Sequence, residues 1–116
     1  MHVRLFAAIL AAGLLGAGAA NAASFDCNKA RTPDEKAICA DRALNDQDVR
    51  MAQLYDIVRH LVPMGTRGAI MDEQSVWLRQ RRTCGASRAC IARAYARRIA
   101  QLNRVLEERV YPNGPF

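Results

Sequence analysis

Residues 24–44 read "SFDCNKARTPDEKAICADRAL" and set two cysteines, Cys27 and Cys39, on either side of a helix-start signal. Thr32-Pro33-Asp34-Glu35 has the form of a capping box. The Thr32 hydroxyl accepts from the Glu35 amide, Pro33 stands where no amide is needed, and the Glu35 carboxylate reaches back. The spacing predicts a short helix from Pro33 to about Ala40. Cysteines flanking such a helix can be metal ligands, reactive thiols or the two ends of a staple.

The residues upstream indicate the compartment. Arg4, an uncharged apolar run from Leu5 to Ala20, and Ala20-Asn21-Ala22 together read as a secretory signal peptide over residues 1–23, cut after Ala22 or Ala23. The run is too short and too rich in Ala and Gly to stay as a membrane anchor. Cys27 follows Ser24-Phe25-Asp26, which lacks the small residues of a lipid-attachment site. The expected product is soluble, periplasmic or secreted, with no transmembrane anchor after cleavage.

Export favours the staple reading. An oxidising compartment and an even count of four cysteines suit two disulfides, and a domain of this size buries only ~60 to 65% of its unfolded surface, so it gains from fastening. Metal ligation fits poorly: eleven residues separate the first cysteine pair, five the second, and His60 is the one histidine past residue 23. No C-x-x-C marks a redox site. Of the three possible pairings, the local one, Cys27 to Cys39 and Cys84 to Cys90, is the expectation; the alternatives tie the first arm to the last turn.

Downstream, "NDQDVRMAQLYDIVRHLV" (45–62) repeats apolar residues at helical spacing from Met51 to Val62, and Pro63-Met64-Gly65 ends it. A third helix is expected from Gly68 or Ala69 to Thr83, with Ile70, Gln74, Trp77, Leu78 and Arg81 in one stripe. Gly85 suits the left-handed residue after its end. Ser87 caps a fourth, carrying Ile91, Tyr95, Ile99, Leu102 and Leu106. No stretch alternates like a strand. The expectation is an all-α, disulfide-stapled bundle of about four helices over residues 24–110, with Tyr55, Trp77 and Tyr95 central and Gln74, Leu78, Arg81 and Ile99 packed around them. Residues 111–116 read as a disordered tail.

Charge is unevenly divided. The 116-residue chain carries +6, with residues 24–73 at −2 and residues 74–116 at +7. Catalysis finds little to build on, since there is no G-x-S-x-G, H-E-x-x-H or Walker loop, and His60 sits where a cation complements a helix C-terminus. The carboxylate pairs Asp34-Glu35, Asp72-Glu73 and Glu107-Glu108 are neighbours in sequence and diverge on a helix. The series Arg79, Arg81, Arg82, Arg88, Arg93, Arg97, Arg98 and Arg104 offers a basic face for acidic lipids or glycans. No aromatic residues interleave with it, which argues against nucleic acid.

The pattern "FDCNKARTPDEKAIC", Asp41, Leu44, Asp48, Met51, Tyr55, Gln74, Trp77-Leu78, Arg81, Cys84, Cys90-Ile91, Tyr95, Arg98-Ile99 and Leu102 resembles the LprI-type domain of secreted bacterial proteins. That domain is named for a lipoprotein inhibitor of lysozyme. Gln47 stands where a leucine is expected and Arg82 where an acidic residue commonly follows Arg81. The resemblance implies a non-enzymatic binding protein without cofactor or metal, whose partner is a lysozyme-like muramidase or another envelope protein. Animal-type lysozymes are basic, so an acidic surface around Asp46 and Asp48 is the expected contact. The alternatives are an envelope module binding anionic lipids or glycans through Arg93 and Arg97, and a structural or stress-associated envelope protein.

Overall fold

The computed structural model describes residues 23–115. The leader reading therefore lies almost wholly outside the described residues. Four helices follow one another: α1 (Pro33–Ala40), α2 (Arg42–Leu61), α3 (Met64–Arg82) and α4 (Arg88–Val105). Among the described residues there is no strand, and the all-α expectation holds.

Each boundary has a local cause. Glu35 accepts from the amides of Arg31 at 2.8 Å and Thr32 at 3.4 Å, holding the start of α1. Periodicity alone places the start of the second helix at Asn45; it starts three residues earlier because the Asp41 side chain caps it, accepting from the Leu44 amide at 3.0 Å. Likewise α3 starts at Met64, four residues before the expected Gly68. Pro63 ends α2 and is also the N-cap of α3, and its carbonyl accepts from the Arg67 amide at 2.9 Å. A proline gives up nothing at a helix start, so one residue serves both ends. Gly65 and Gly68 are carried inside the first turns, at about 1 kcal/mol each relative to alanine.

At the other end of α3, Gly85 has φ +58, the left-handed residue expected there, and its amide reaches the Arg82 carbonyl at 3.1 Å. Ser87 then caps α4, its hydroxyl accepting from the Cys90 amide at 3.3 Å. After Val105 the helix widens to a π turn over Leu106–Val110, and a 3-10 turn follows over Tyr111–Asn113. The stretch read as a tail thus opens with a turn, closed by the Asn113 amide group on the Arg109 carbonyl at 2.6 Å.

The core is one cluster fed by every helix: Ile38, Leu44, Met51, Val58, Val62, Ile70, Trp77, Ile91, Tyr95, Leu102, Leu106 and Val110. Trp77 and Tyr95 meet edge to face at 5.2 Å, and the Trp77 indole donates to the Ala94 carbonyl at 3.0 Å. Tyr55 and Ile99 pack on the cluster from its edge, half-buried. Leu78 departs from the expected stripe. It is 40% exposed because it lies about 100° around α3 from Trp77, and only one of the two can face inward.

The disulfides are Cys27–Cys39 and Cys84–Cys90, the local pairing. The first ties a 3-10 turn at Cys27–Lys29 to the end of α1, and the second clamps the α3–α4 connection. Replacing Cys27 and Cys39 together by serine should lower unfolding stability in urea by about 3 kcal/mol, and replacing Cys84 and Cys90 by about 2 kcal/mol, following the loop lengths closed. Peptide mapping without reduction should return only these two cross-linked pairs.

Candidate functional site

Polar chemistry in this fold is concentrated inside it. Arg81, in the last turn of α3, is 6% exposed and points into the bundle. Its Nε donates to Asp34 Oδ2 at 2.9 Å, and its NH1 donates to the Tyr95 hydroxyl at 3.0 Å. That hydroxyl donates on to Asp48 Oδ1 at 2.8 Å, which itself lies 3.9 Å from Arg81 NH1. Asp48 Oδ2 accepts from the Ser24 backbone nitrogen at 2.6 Å. The rings of Trp77, Phe25 and Tyr95 stand 5.6, 5.9 and 5.9 Å from the guanidinium carbon. One cation thus meets two carboxylates, the Tyr95 phenol and the rings of Phe25 and Trp77, contributed by the N-terminal arm and all four helices.

The titration of these groups follows from their places. Burial pushes the Asp34 carboxyl up, but the adjacent Thr32 hydroxyl and the Arg81 guanidinium outweigh burial and hold it below the ordinary carboxylate value. Neither that hydroxyl nor Asp34 Oδ1 makes an aligned hydrogen bond, so Arg81 is the one well-formed contact on this carboxylate. Burial and the Asp48 carboxylate push the Tyr95 phenol far up against the pull of Arg81, and it stays a neutral donor.

A second buried arginine lies one turn away. Arg98, 2% exposed, donates from Nε to Gln74 Oε1 at 2.9 Å and from NH2 to the Ile70 carbonyl at 3.4 Å, and it pairs with Glu73 at 3.5 Å. Burial draws its guanidinium down from the usual value, and Glu73 offsets part of that. The Gln74 amide nitrogen donates to the Met51 sulfur at 3.3 Å, so α2, α3 and α4 share this layer.

These contacts redraw the surface read from sequence. Asp48, expected to face a partner, is 0% exposed and wholly engaged inside; only Asp46 of that pair reaches solvent. Arg81 and Arg98 leave the basic series for the core, whereas Arg93, Arg97 and Arg104 are exposed on α4. The Gln47 side chain donates to the Ala92 carbonyl at 3.4 Å, so a polar bridge between α2 and α4 stands where a leucine was expected. Because α2 and α4 pack together, the acidic and basic halves of the sequence are neighbours. His60 is exposed on the last turn of α2, its Nδ1 2.7 Å from the Asp56 carbonyl. Among the described residues no three His, Cys, Asp or Glu side chains converge as a metal site.

Two grooves open on α3. One, of about 340 Å³, runs between α3 and α4 and is lined by Asp72, Glu73, Val76, Trp77, Gln80, Arg98 and Gln101. The other, of about 300 Å³, has Phe25, Tyr55 and Leu78 on its walls and Asp48, Gln74 and Arg81 among its lining. Sequence reasoning places Gln74 and Arg81 inside, as found, and misses the burial of Asp34, Asp48 and Arg98. A signal is present: both arginines fall on apolar stripes, and Asp34 stands four residues before the buried Ile38, on the inward face of α1.

A family model described as "Lysozyme inhibitor LprI" matches residues 27–102, from the first cysteine through the buried Leu102. No curated protein and no solved structure matches the chain.

Arg81→Met should cost about 3 to 5 kcal/mol in urea unfolding, because it strands two buried carboxylates. Tyr95→Phe should cost less, about 1 to 3 kcal/mol, by leaving Asp48 Oδ1 short of its donor. Since Asp34 is depressed only in the folded state, the unfolded chain binds more protons in acid. Its contribution is present above about pH 4 and is lost as pH falls through the lower folded value. Melting temperatures scanned from pH 6 downward should fall less steeply in Asp34→Asn, from a lower start.

Proposed function

Because the chain belongs to the LprI lysozyme-inhibitor family, we propose that it is an exported binding protein that stops a lysozyme-like muramidase by covering its glycan cleft. The family match carries the reading, since it takes in both staples and runs from the first cysteine into the last turn of α4. Occlusion is work for a rigid body. Two disulfides and two buried arginine layers fix the helices before any partner arrives, so little ordering is left to be done on binding.

The contact surface on this reading is the groove between α3 and α4. Asp72 and Glu73 form an acidic lip beside Val76, which is 43% exposed, and the edge of Trp77. Acid around an apolar strip is what a basic enzyme with a sugar-binding cleft would meet favourably. With Asp48 buried, the loop at Asp46 offers a single carboxylate and is the weaker choice. The excess of positive charge works against long-range steering toward a basic enzyme, so the complex depends on short-range fit and forms slowly at low salt.

The exposed row Arg93, Arg97 and Arg104 on α4 supports a second reading, a module that holds anionic lipids or glycans of the envelope. Such binding would collapse between low and moderate salt.

The purified protein at micromolar concentration should slow clearing of a peptidoglycan suspension by animal-type lysozyme. Asp72→Lys with Val76→Asp should raise the half-inhibitory concentration about tenfold, ~1.4 kcal/mol of binding, while Asp46→Lys leaves it unchanged. No slowing by the wild type would remove the proposal, and an equal effect of Asp46→Lys would remove the groove.

A further inference from the structure

The cluster around Arg81 is short of one positive charge. Asp34 and Asp48 are 1% and 0% exposed, and among the described residues the one cation that reaches them is Arg81. Tyr95, between them, is neutral. Two buried carboxylates against one guanidinium leave a net negative charge in a place where an uncompensated ion is costly.

The remaining oxygen of Asp48 accepts from the Ser24 backbone nitrogen at 2.6 Å. The arm that brings Ser24 there is held at two further points. Phe25 packs on the core with its ring beside Arg81, and Cys27 is bonded to Cys39. Ser24 is also the residue that follows one of the two cuts the leader sequence allows.

We propose that the leader is cut between Ala23 and Ser24, and that the α-ammonium group freed on Ser24 is the missing cation, forming an ion pair with Asp48 that only the processed chain can make. Water adds across the Ala23–Ser24 peptide bond under a leader peptidase; Ala23 keeps the carboxylate and the Ser24 nitrogen takes up protons to become the ammonium. Before the cut this nitrogen is a neutral amide and the cluster stays one charge short. Processing therefore completes the core, and a chain that keeps its leader is the less stable form. A cut after Ala22 would leave the ammonium one residue away, about 3.8 Å further along the chain.

The groups facing the Ser24 nitrogen set its titration. Asp48 and Tyr55 of α2, Glu35 of α1 and Arg81 of α3 line the same groove, and Tyr95 of α4 stands behind Asp48. The carboxylate in direct contact favours the ammonium and raises its folded value above the ordinary α-amino range of about 7.7 to 8.0. A raised group contributes stability that is complete below the unfolded value and lost as pH rises through the folded one.

The test uses protein purified from the exported fraction. Its intact mass should correspond to a chain beginning at Ser24. Its melting temperature should drop by ~3 °C or more between about pH 7.5 and pH 9.5. Selective acetylation of the α-amine should lower the pH 7.5 value by a similar amount and abolish the drop, as should inserting one glycine after Ala23. Asp48→Asn should also abolish it; if that variant fails to fold, the acetylation comparison still decides. A mass beginning at Ala23 or any other residue, or identical melting of acetylated and free protein at pH 7.5, would overturn the proposal.

Discussion

The architecture depends on the burial of a guanidinium. Arg81 cannot sit at 6% exposure unless opposite charge and hydrogen-bond acceptors come with it, and they come from elements far apart in sequence: Asp34 on α1, Asp48 on α2 and Tyr95 on α4. A turn of α3 by one residue would swing the arginine about 100° from all of them. Ile70 and Trp77 would leave the interior with it. The ionic cluster and the apolar stripe of α3 therefore select the same register.

Arg98 repeats the device one turn along. Its partners are weaker, an amide oxygen, a main-chain carbonyl and the exposed end of Glu73, and its guanidinium is correspondingly less supported than that of Arg81. Trp77 and Tyr95 meet edge to face beside Arg81, so α3 and α4 join through aromatic as well as ionic contacts. The arrangement gives up some stability relative to a hydrocarbon core. In exchange, the two disulfides close only short loops and the orientation of the long helices is left to these contacts.

Much of this is legible in the residues, and the exceptions have a common origin. Periodicity and caps point to the four helices, and an even cysteine count with export points to the staples. The helix starts at Arg42 and Met64 escape a local reading because Asp41 and Pro63 each serve the end of one element and the start of the next. Arg81 reads as inward from its stripe with Ile70, Gln74 and Trp77, but Asp48 and Arg98 are harder, since a charged residue on a helix ordinarily marks the solvent side. Asp48 does fall on the buried stripe of α2 with Leu44, Met51 and Val58, but its partners, Tyr95 and the arm at Ser24, come to it from 47 and 24 residues away, and no local pattern names them. Leu78 misleads for the opposite reason: being apolar, it reads as inward, though Trp77 already occupies that side of α3.

The connectivity of the staples bears on how the molecule is made. Each cysteine is bonded to its nearest neighbour along the chain, twelve residues apart in one case and six in the other. In a polypeptide that emerges amino end first into an oxidising space, the second cysteine to appear meets the first, and the fourth meets the third. On the proposed exported route, order of arrival favours the bridges seen over the two alternative pairings, and an oxidant alone would complete them.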